Sequence, residues 1–209
     1  MRRIVIADDH ALIRKGLIQV LQKEFPSAVI EEAGDAEELM KKVLAQKWDL
    51  VITDISMPGK SGLDIIAEIR QHFPHLPVLV LSMLPEEQYA IRALKAGAWA
   101  YLNKLSAPDE IIKAIARVAM GKKYIAPSVA EQMASDLHAD KEKALHEYLS
   151  PREFEIFNLL AAGKSTSAIA KQVSLSISSI STYRARIMEK MHFRTNADII
   201  FYAIRNATV

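Results

Sequence analysis

Residues 49–64 run Asp49-Leu50-Val51-Ile52-Thr53-Asp54-Ile55-Ser56-Met57-Pro58-Gly59-Lys60-Ser61-Gly62-Leu63-Asp64. Leu50-Val51-Ile52 is a short apolar run, and Met57-Pro58-Gly59 and Gly62 break the chain after it. An apolar run of this length, bounded by turn residues, reads as a strand buried on both faces. Asp54 then stands at the C-terminal end of that strand, the end where ligands bind in open α/β sheets. Taken alone, Asp54 reads equally well as a residue that merely caps the turn.

The flanking sequence decides between these. Upstream, Arg3-Ile4-Val5-Ile6-Ala7 is a second buried-strand run that also ends in acids, Asp8-Asp9. Ile13, Leu17, Val20 and Leu21 follow at helical spacing until Pro26, and a strand begins at Ala28-Val29-Ile30. Asp35 is an N-cap candidate for a helix carrying Leu39, Met40, Val43 and Leu44. Downstream, Ile65, Ile66 and Ile69 line a helix that closes before Pro74, and Val78-Leu79-Val80-Leu81 is a strand ending at Ser82. A helix over 86–96 stops at Gly97, and Trp99-Ala100-Tyr101-Leu102 is a fifth strand followed by Lys104. Pro108 opens a last helix, carried by Ile111, Ile112, Ile115 and Val118 to Gly121. Five alternations of strand and helix predict a parallel, doubly wound α/β sheet in the flavodoxin-like order 2-1-3-4-5. That order makes strands 1 and 3 neighbours, so Asp8-Asp9 and Asp54 meet at one sheet edge, with Ser82 and Lys104 at the same edge.

Three carboxylates at one edge repel one another unless a hard cation sits among them, and Mg²⁺ takes such oxygen ligands together with phosphate oxygens. A lysine there suits a phosphoryl group, and a hydroxyl can donate to one. These are the parts needed to transfer phosphate onto a carboxylate.

The matched residues Asp8-Asp9, Asp54, Met57-Pro58, Gly62, Ser82, Tyr101 and Lys104 make residues 1–121 resemble the receiver domain of bacterial two-component response regulators. The resemblance implies that Asp54 accepts phosphate from a histidine kinase. It implies that Asp9, Asp54 and the backbone carbonyl of Ser56 hold Mg²⁺, with Asp8 helping mostly through water. Lys104 would contact the phosphoryl group, and Ser82 and Tyr101 would rearrange on phosphorylation. Leu105 departs from the proline that many receivers carry after the lysine, so a cis peptide is not implied there.

The C-terminal part differs in charge. Residues 150–209 carry eight Lys/Arg and four Asp/Glu, a net of +4, against −1 for residues 1–121 and −1 for 122–149. A basic segment hints at a polyanionic partner. Residues 122–149 read as a linker with some helix. Ser150, Pro151 and Glu153 then form a capping box with a proline start. Four helices are predicted at about 151–162, 166–173, 177–191 and 195–206, with Ser165 and Ser176 as N-caps and Gly163 closing the first. Leu149-Ser150-Pro151-Arg152-Glu153, Ala162-Gly163-Lys164-Ser165, Ile169-Ala170, Leu175-Ser176 and Tyr183 to Met191 make residues 150–209 resemble the LuxR-type helix-turn-helix domain. The resemblance places the helix near 177–191 in the major groove of double-stranded DNA. Ile180, Ile187 and Met191 would face inward. Ser178, Ser179, Ser181, Thr182, Ala185 and Arg186 would face outward, with Arg184 and Lys190 towards the backbone and Lys164 and Lys171 on preceding elements. Hydroxyls and apolar groups would read bases, and the cations would position the protein on phosphates.

The expected whole is an α/β receiver joined to an all-α DNA-binding domain: a transcriptional regulator, not a turnover enzyme, working as a homodimer on paired half-sites. In the last helix, Ala197, Ile200, Phe201 and Ile204 are expected to complete the core, and Ile199, Tyr202 and Ala203 to meet the second copy. The rival enzymatic reading is an Mg²⁺-dependent phosphohydrolase with Asp54 as nucleophile. It would want an acid two residues later, where this chain has Ser56. A third class, a phosphorylation-independent adaptor, leaves the full acidic set without a purpose. The chain has no cysteine, which excludes disulfides and thiolate metal sites and suits a reducing cytoplasm. No apolar run approaches the roughly 18 residues that span a membrane, and the start lacks a signal-peptide core.

Overall fold

The computed structural model describes residues 3–57, 60–138 and 144–206. Pro58 and Gly59 of the opening stretch lie outside the described residues, as does part of the expected linker. The chain divides into two compact units, Met1–Ala139 and Asp140–Val209.

The first unit is a five-stranded parallel sheet in the order β2-β1-β3-β4-β5. Its strands are β1 (Arg3–Ala7), β2 (Val29–Ala33), β3 (Leu50–Thr53), β4 (Val78–Ser82) and β5 (Ala100–Asn103). The strands β3 and β4 are buried along their whole length, as expected of apolar runs covered by helices on both faces. The edge strand β2 is only half-buried, and its Glu31 and Glu32 pair with Arg3 and Arg14. The helices are α1 (Ala11–Glu24), α2 (Ala36–Ala45), α3 (Gly62–His72), α4 (Glu86–Ala96), α5 (Pro108–Ala119) and α6 (Pro127–His138). Asp35 caps α2 by accepting from the Glu38 amide. The α1 stripe is less buried than its spacing predicts: only Leu21 is buried, while Ile13, Leu17 and Val20 line a surface groove with Pro108 and Ile111.

Gly62 is required where it stands. A Cβ there would lie 2.3 Å from the Ile55 Cα, so any side chain would push α3 away from the loop that follows Asp54. Buried Ile55 and Met57 anchor that loop and leave Ser56 exposed between them.

The expected linker is shared between the units. In the first, α6 lies on α4, with Val129 buried, the Ser128 hydroxyl on Glu86 (3.0 Å) and the Gln132 amide on the Glu87 carbonyl (2.9 Å). The second unit begins with a 3₁₀ turn, Leu145–Tyr148, and continues with α7 (Pro151–Ala161), α8 (Thr166–Gln172), α9 (Ile177–Lys190) and α10 (Asn196–Arg205). Ser150, Ser165 and Ser176 cap α7, α8 and α9, and Ser150 with Glu153 closes a full capping box. Phe154, Ile156, Phe157, Ile169, Ile180, Ile187, Ile199 and Ala203 form its core. Among the described residues no helix is long and apolar enough to cross a membrane.

Candidate functional site

Parallel pairing brings the acidic residues together. Thr53 lies opposite Ala7, and the Asp54 amide donates to the Ala7 carbonyl (2.9 Å), so the ends of β1 and β3 are fixed side by side. At the other side of the edge the Lys104 amide donates to the Ser82 carbonyl (2.9 Å). These two main-chain bonds aim the Lys104 side chain back across the edge. Its Nζ lies 2.6 Å from Asp54 Oδ2 and 2.6 Å from Asp8 Oδ2, with all three side chains at most 5% exposed. Burial alone would lower the Lys104 pKa. The hydrogen bonds to Asp54 and Asp8 outweigh it and hold the ammonium above its usual range. The Ser56 N–H donates to Asp54 Oδ1 (3.0 Å), so both oxygens of the carboxylate are held.

Asp9 sits at the mouth of the cluster, and His10 joins it. The His10 Nδ1 is 2.7 Å from Asp9 Oδ1 and 3.2 Å from Asp8 Oδ1. One ligand atom from each of Asp8, Asp9, His10 and Asp54 falls within 4.8 Å of the others. His10 is absent from the sequence expectation, because an imidazole one step beyond two acids gives no spacing signal of its own. The donor set fits Mg²⁺: three hard carboxylates against one lysine leave a net charge of −2 with His10 neutral.

Ser82 and Tyr101 are both buried. The Tyr101 hydroxyl donates to the Leu84 carbonyl (2.9 Å), and burial pushes its phenol above the usual range. The ring therefore ties β5 to the loop between β4 and α4. Lys104 and Leu105 are joined by a trans peptide, since no described peptide bond is cis.

In the second unit α8 and α9 pack as a helix-turn-helix. The turn between them passes through Ser174 at φ 53, and the Leu175 amide returns to the Ala170 carbonyl (2.9 Å). Ile180, Ile187 and Met191 turn inward. Ile177, Ser178, Ser181, Thr182, Ala185, Arg186 and Glu189 form one continuous exposed face. Lys164 and Lys171 are exposed on the preceding elements, with Lys164 on the Gln172 carboxamide (2.6 Å).

Two expectations need correction, and two expected DNA-backbone residues have partners within the chain. Ser179 does not face outward: it is half-buried, drawn into the N-cap by Ser176. Lys190, expected towards the DNA backbone, has its Nζ 2.6 Å from the buried Glu153 carboxylate and ties the end of α9 to the start of α7. Arg184 is half-buried and donates to the Asn196 side chain (2.7 Å).

The second correction concerns α10. Ile199 and Ala203 are wholly buried, whereas Phe201 is 70% and Ile204 is 68% exposed. The expected partner face of Ile199, Tyr202 and Ala203 is therefore the core face. Small Ala203 lets α10 approach α7. The Tyr202 ring packs edge-on to Phe157, and its hydroxyl meets His146 Nδ1 (3.0 Å) from the 3₁₀ turn. Helical spacing identified both stripes, but it could not say which one the neighbouring elements would cover.

The Glu153 site has a pH consequence. Burial alone would raise the Glu153 pKa, but the hydrogen bonds from Lys190 and Ser150 outweigh it, so the carboxyl lies below its usual 4.5. A group depressed on folding adds stability that is complete above its unfolded pKa and is lost as pH falls through the folded value. Glu153→Gln keeps an oxygen for the Ser150 amide but loses the charge facing Lys190, so it is expected to destabilise the helical unit by about 0.5–1 kcal/mol near neutral pH. Much of the ion pair is discounted because Lys190 is 42% exposed. Melting curves at pH 7 and pH 4 check this: the difference between variant and wild type should shrink at pH 4.

The chain is similar to known proteins along its whole length. Residues 4–116 match the response regulator receiver domain, and residues 147–203 match the bacterial regulatory proteins of the luxR family. The chain belongs to the two-component response regulators that join a receiver to a LuxR-type DNA-binding domain, a class of phosphorylation-controlled transcriptional regulators.

Among its relatives, the oxygen regulatory protein NreC of Staphylococcus carnosus (strain TM300) is 31% identical over 97% of this chain and 97% of that one. The transcriptional activator protein ExaE of Pseudomonas putida is 35% identical over 96% of this chain and 95% of its own length. Among solved structures, RcsB from Salmonella enterica serovar Typhimurium, bound to promoter rprA with the phosphomimetic BeF3−, is similar with a TM-score of 0.66. It is 27% identical, and the match covers 97% of this chain and 98% of RcsB.

Proposed function

We propose that Asp54 takes a phosphoryl group from a histidine kinase and that this controls binding of the second unit to paired DNA half-sites. The observation that carries the proposal is the Asp54 carboxylate, buried at the end of β3 and held between Lys104 and the Ser56 amide with Asp8 and Asp9 alongside. In the transfer, an Asp54 oxygen attacks phosphorus, the phosphorus–nitrogen bond to the kinase histidine breaks, and the released imidazole takes up a proton. Lys104, already charged, moves from the carboxylate to a phosphoryl oxygen. Asp9, Asp54 and the Ser56 carbonyl would hold Mg²⁺, with Asp8 acting mostly through water; the ion would neutralise charge on the transferring phosphate. Ser56 offers no carboxyl to activate water, which favours a stored signal over turnover.

The buried phosphate would displace Ser82 and Tyr101 and so move the Leu84 carbonyl at the entrance to α4. Since α6 rests on Glu86 and Glu87 of α4, a shift there reaches the chain segment leading to the second unit. On α10 the exposed Ile200, Phe201 and Ile204 would meet a second copy. A reducing cytoplasm suits this cysteine-free chain.

The test is to treat the protein with acetyl phosphate and Mg²⁺, then measure intact mass and DNA affinity. One added phosphoryl group and a changed affinity are expected; no mass gain would overturn the reading. The DNA side makes a separate expectation. Lys171 on α8 and Arg186 on α9 are exposed cations, so removing either should weaken all duplexes about equally and flatten the salt slope by about one. Binding titrations against salt for Lys171→Ala check it, and an unchanged slope with altered sequence preference would place Lys171 on bases instead.

A further inference from the structure

We propose that Ile177 and Thr182 read thymine methyl groups, and that the half-site recognised by this chain is accordingly rich in A·T pairs where the first two turns of α9 meet the major groove. The inference rests on the reading of α9 as the DNA-contacting helix and goes beyond it to the chemistry of the bases.

The exposed face of those two turns is Ile177, Ser178, Ser181, Thr182 and Ala185. None of these offers the paired donors that Arg or Lys presents to guanine O6 and N7, or the donor–acceptor pair that Asn or Gln presents to adenine. The hydroxyl protons of Ser181 and Thr182 are also engaged. The Ser181 hydroxyl donates to the Ile177 carbonyl (3.0 Å), and the Thr182 hydroxyl donates to the Ser178 carbonyl (3.0 Å). The Ser178 hydroxyl lies 2.8 Å from that of Ser176, within the N-cap. Ser181 and Thr182 therefore present lone pairs to the groove. The rest of the face is hydrocarbon: the Ile177 side chain at 55% exposure, the Thr182 methyl and the Ala185 methyl.

In the major groove an A·T pair shows a methyl group on thymine and an amino donor on adenine, while guanine shows two acceptors. Lone pairs and methyls complement the first and leave the guanine acceptors without donors. Arg186 lies about 13 Å along the helix from Ile177, too far to serve the step beneath it, and one turn beyond Thr182 it is assigned to phosphate.

The experiment uses full-length protein treated with acetyl phosphate and Mg²⁺. Duplexes are selected from a randomised pool, and each thymine of the selected site is replaced in turn by deoxyuridine, which removes only the C5 methyl. For wild type, two thymines per half-site should be sensitive, each replacement weakening binding about fourfold, the worth of one buried methyl. In Ile177→Ala the replacement beneath residue 177 should have no further effect. Thr182→Ser, which keeps the hydroxyl and loses the methyl, should become indifferent to a neighbouring thymine. Thermal melting shows that both variants are folded. Equal deoxyuridine penalties in wild type and both variants, or selected sites dominated by guanine under this face, would overturn the assignment. Wild type that binds no duplex at all would overturn the DNA-binding reading and this inference with it. Salt-dependent binding without any methyl coupling would overturn the thymine assignment alone.

Discussion

Asp54→Asn is expected to take up no phosphoryl group from acetyl phosphate and Mg²⁺ under conditions where wild type takes up one. The substitution preserves shape but replaces the attacking oxygen anion with a neutral amide, so phosphorylation should fall by at least two orders of magnitude. The fold should survive. Lys104 is almost fully buried, and loss of both its partners would leave an uncompensated charge, a change that costs several kcal/mol. In Asp54→Asn the Asp8 carboxylate remains 2.6 Å from the ammonium, so the lysine stays paired and two like charges no longer face each other. The melting temperature should therefore shift little. Lys104→Met is the contrasting variant: it leaves Asp8 and Asp54 side by side without a counter-charge, and it should be markedly less stable until Mg²⁺ is added. Intact-mass measurement with melting curves at zero and millimolar Mg²⁺ checks both. Undiminished labelling of Asp54→Asn would place the phosphoacceptor elsewhere.

Most of this site can be read from the chain because it depends on backbone topology. Once five apolar runs alternate with helices, pairing order alone brings Asp8, Asp54, Ser82 and Lys104 to one edge, and the structure orders the strands that way. What could not be read depends on side-chain partners. Lys190 looks like any cation on a DNA-facing helix until Glu153, 37 residues away, is seen to be buried and facing it. Ser181 and Thr182 of α9 look like base-reading donors until their hydroxyls are found to bond the carbonyls of the preceding turn. His10 enters the acidic cluster because only Asp8, Asp9 and His10 join β1 to α1, and its ring lies against Asp9. The phase of α10 is a further case, since two apolar stripes one residue apart have the same period and only the neighbours choose between them.

That choice gives a contrast between two aspartate substitutions on one helix. Ile199 has no exposed surface and packs where α10 crosses α7. Ile199→Asp removes a buried side chain, worth about 2–5 kcal/mol as a truncation, and adds a carboxylate with no partner among apolar groups. A unit of this size has roughly 3–9 kcal/mol of stability to lose. The helical unit should therefore unfold, losing helical circular dichroism and DNA binding, while the first unit still accepts phosphate at Asp54. Ile204 is 68% exposed, so Ile204→Asp should leave the fold within about 0.5 kcal/mol of wild type. If Ile200, Phe201 and Ile204 meet a second copy, the same change buries charge in an apolar contact. Binding to DNA with two half-sites should then weaken at least tenfold, with binding to a single half-site little affected. Circular dichroism and titrations on one-site and two-site duplexes separate these outcomes. A folded Ile199→Asp that still binds DNA would contradict the packing of α10. An Ile204→Asp that binds paired half-sites as tightly as wild type would move the dimer contact away from this helix.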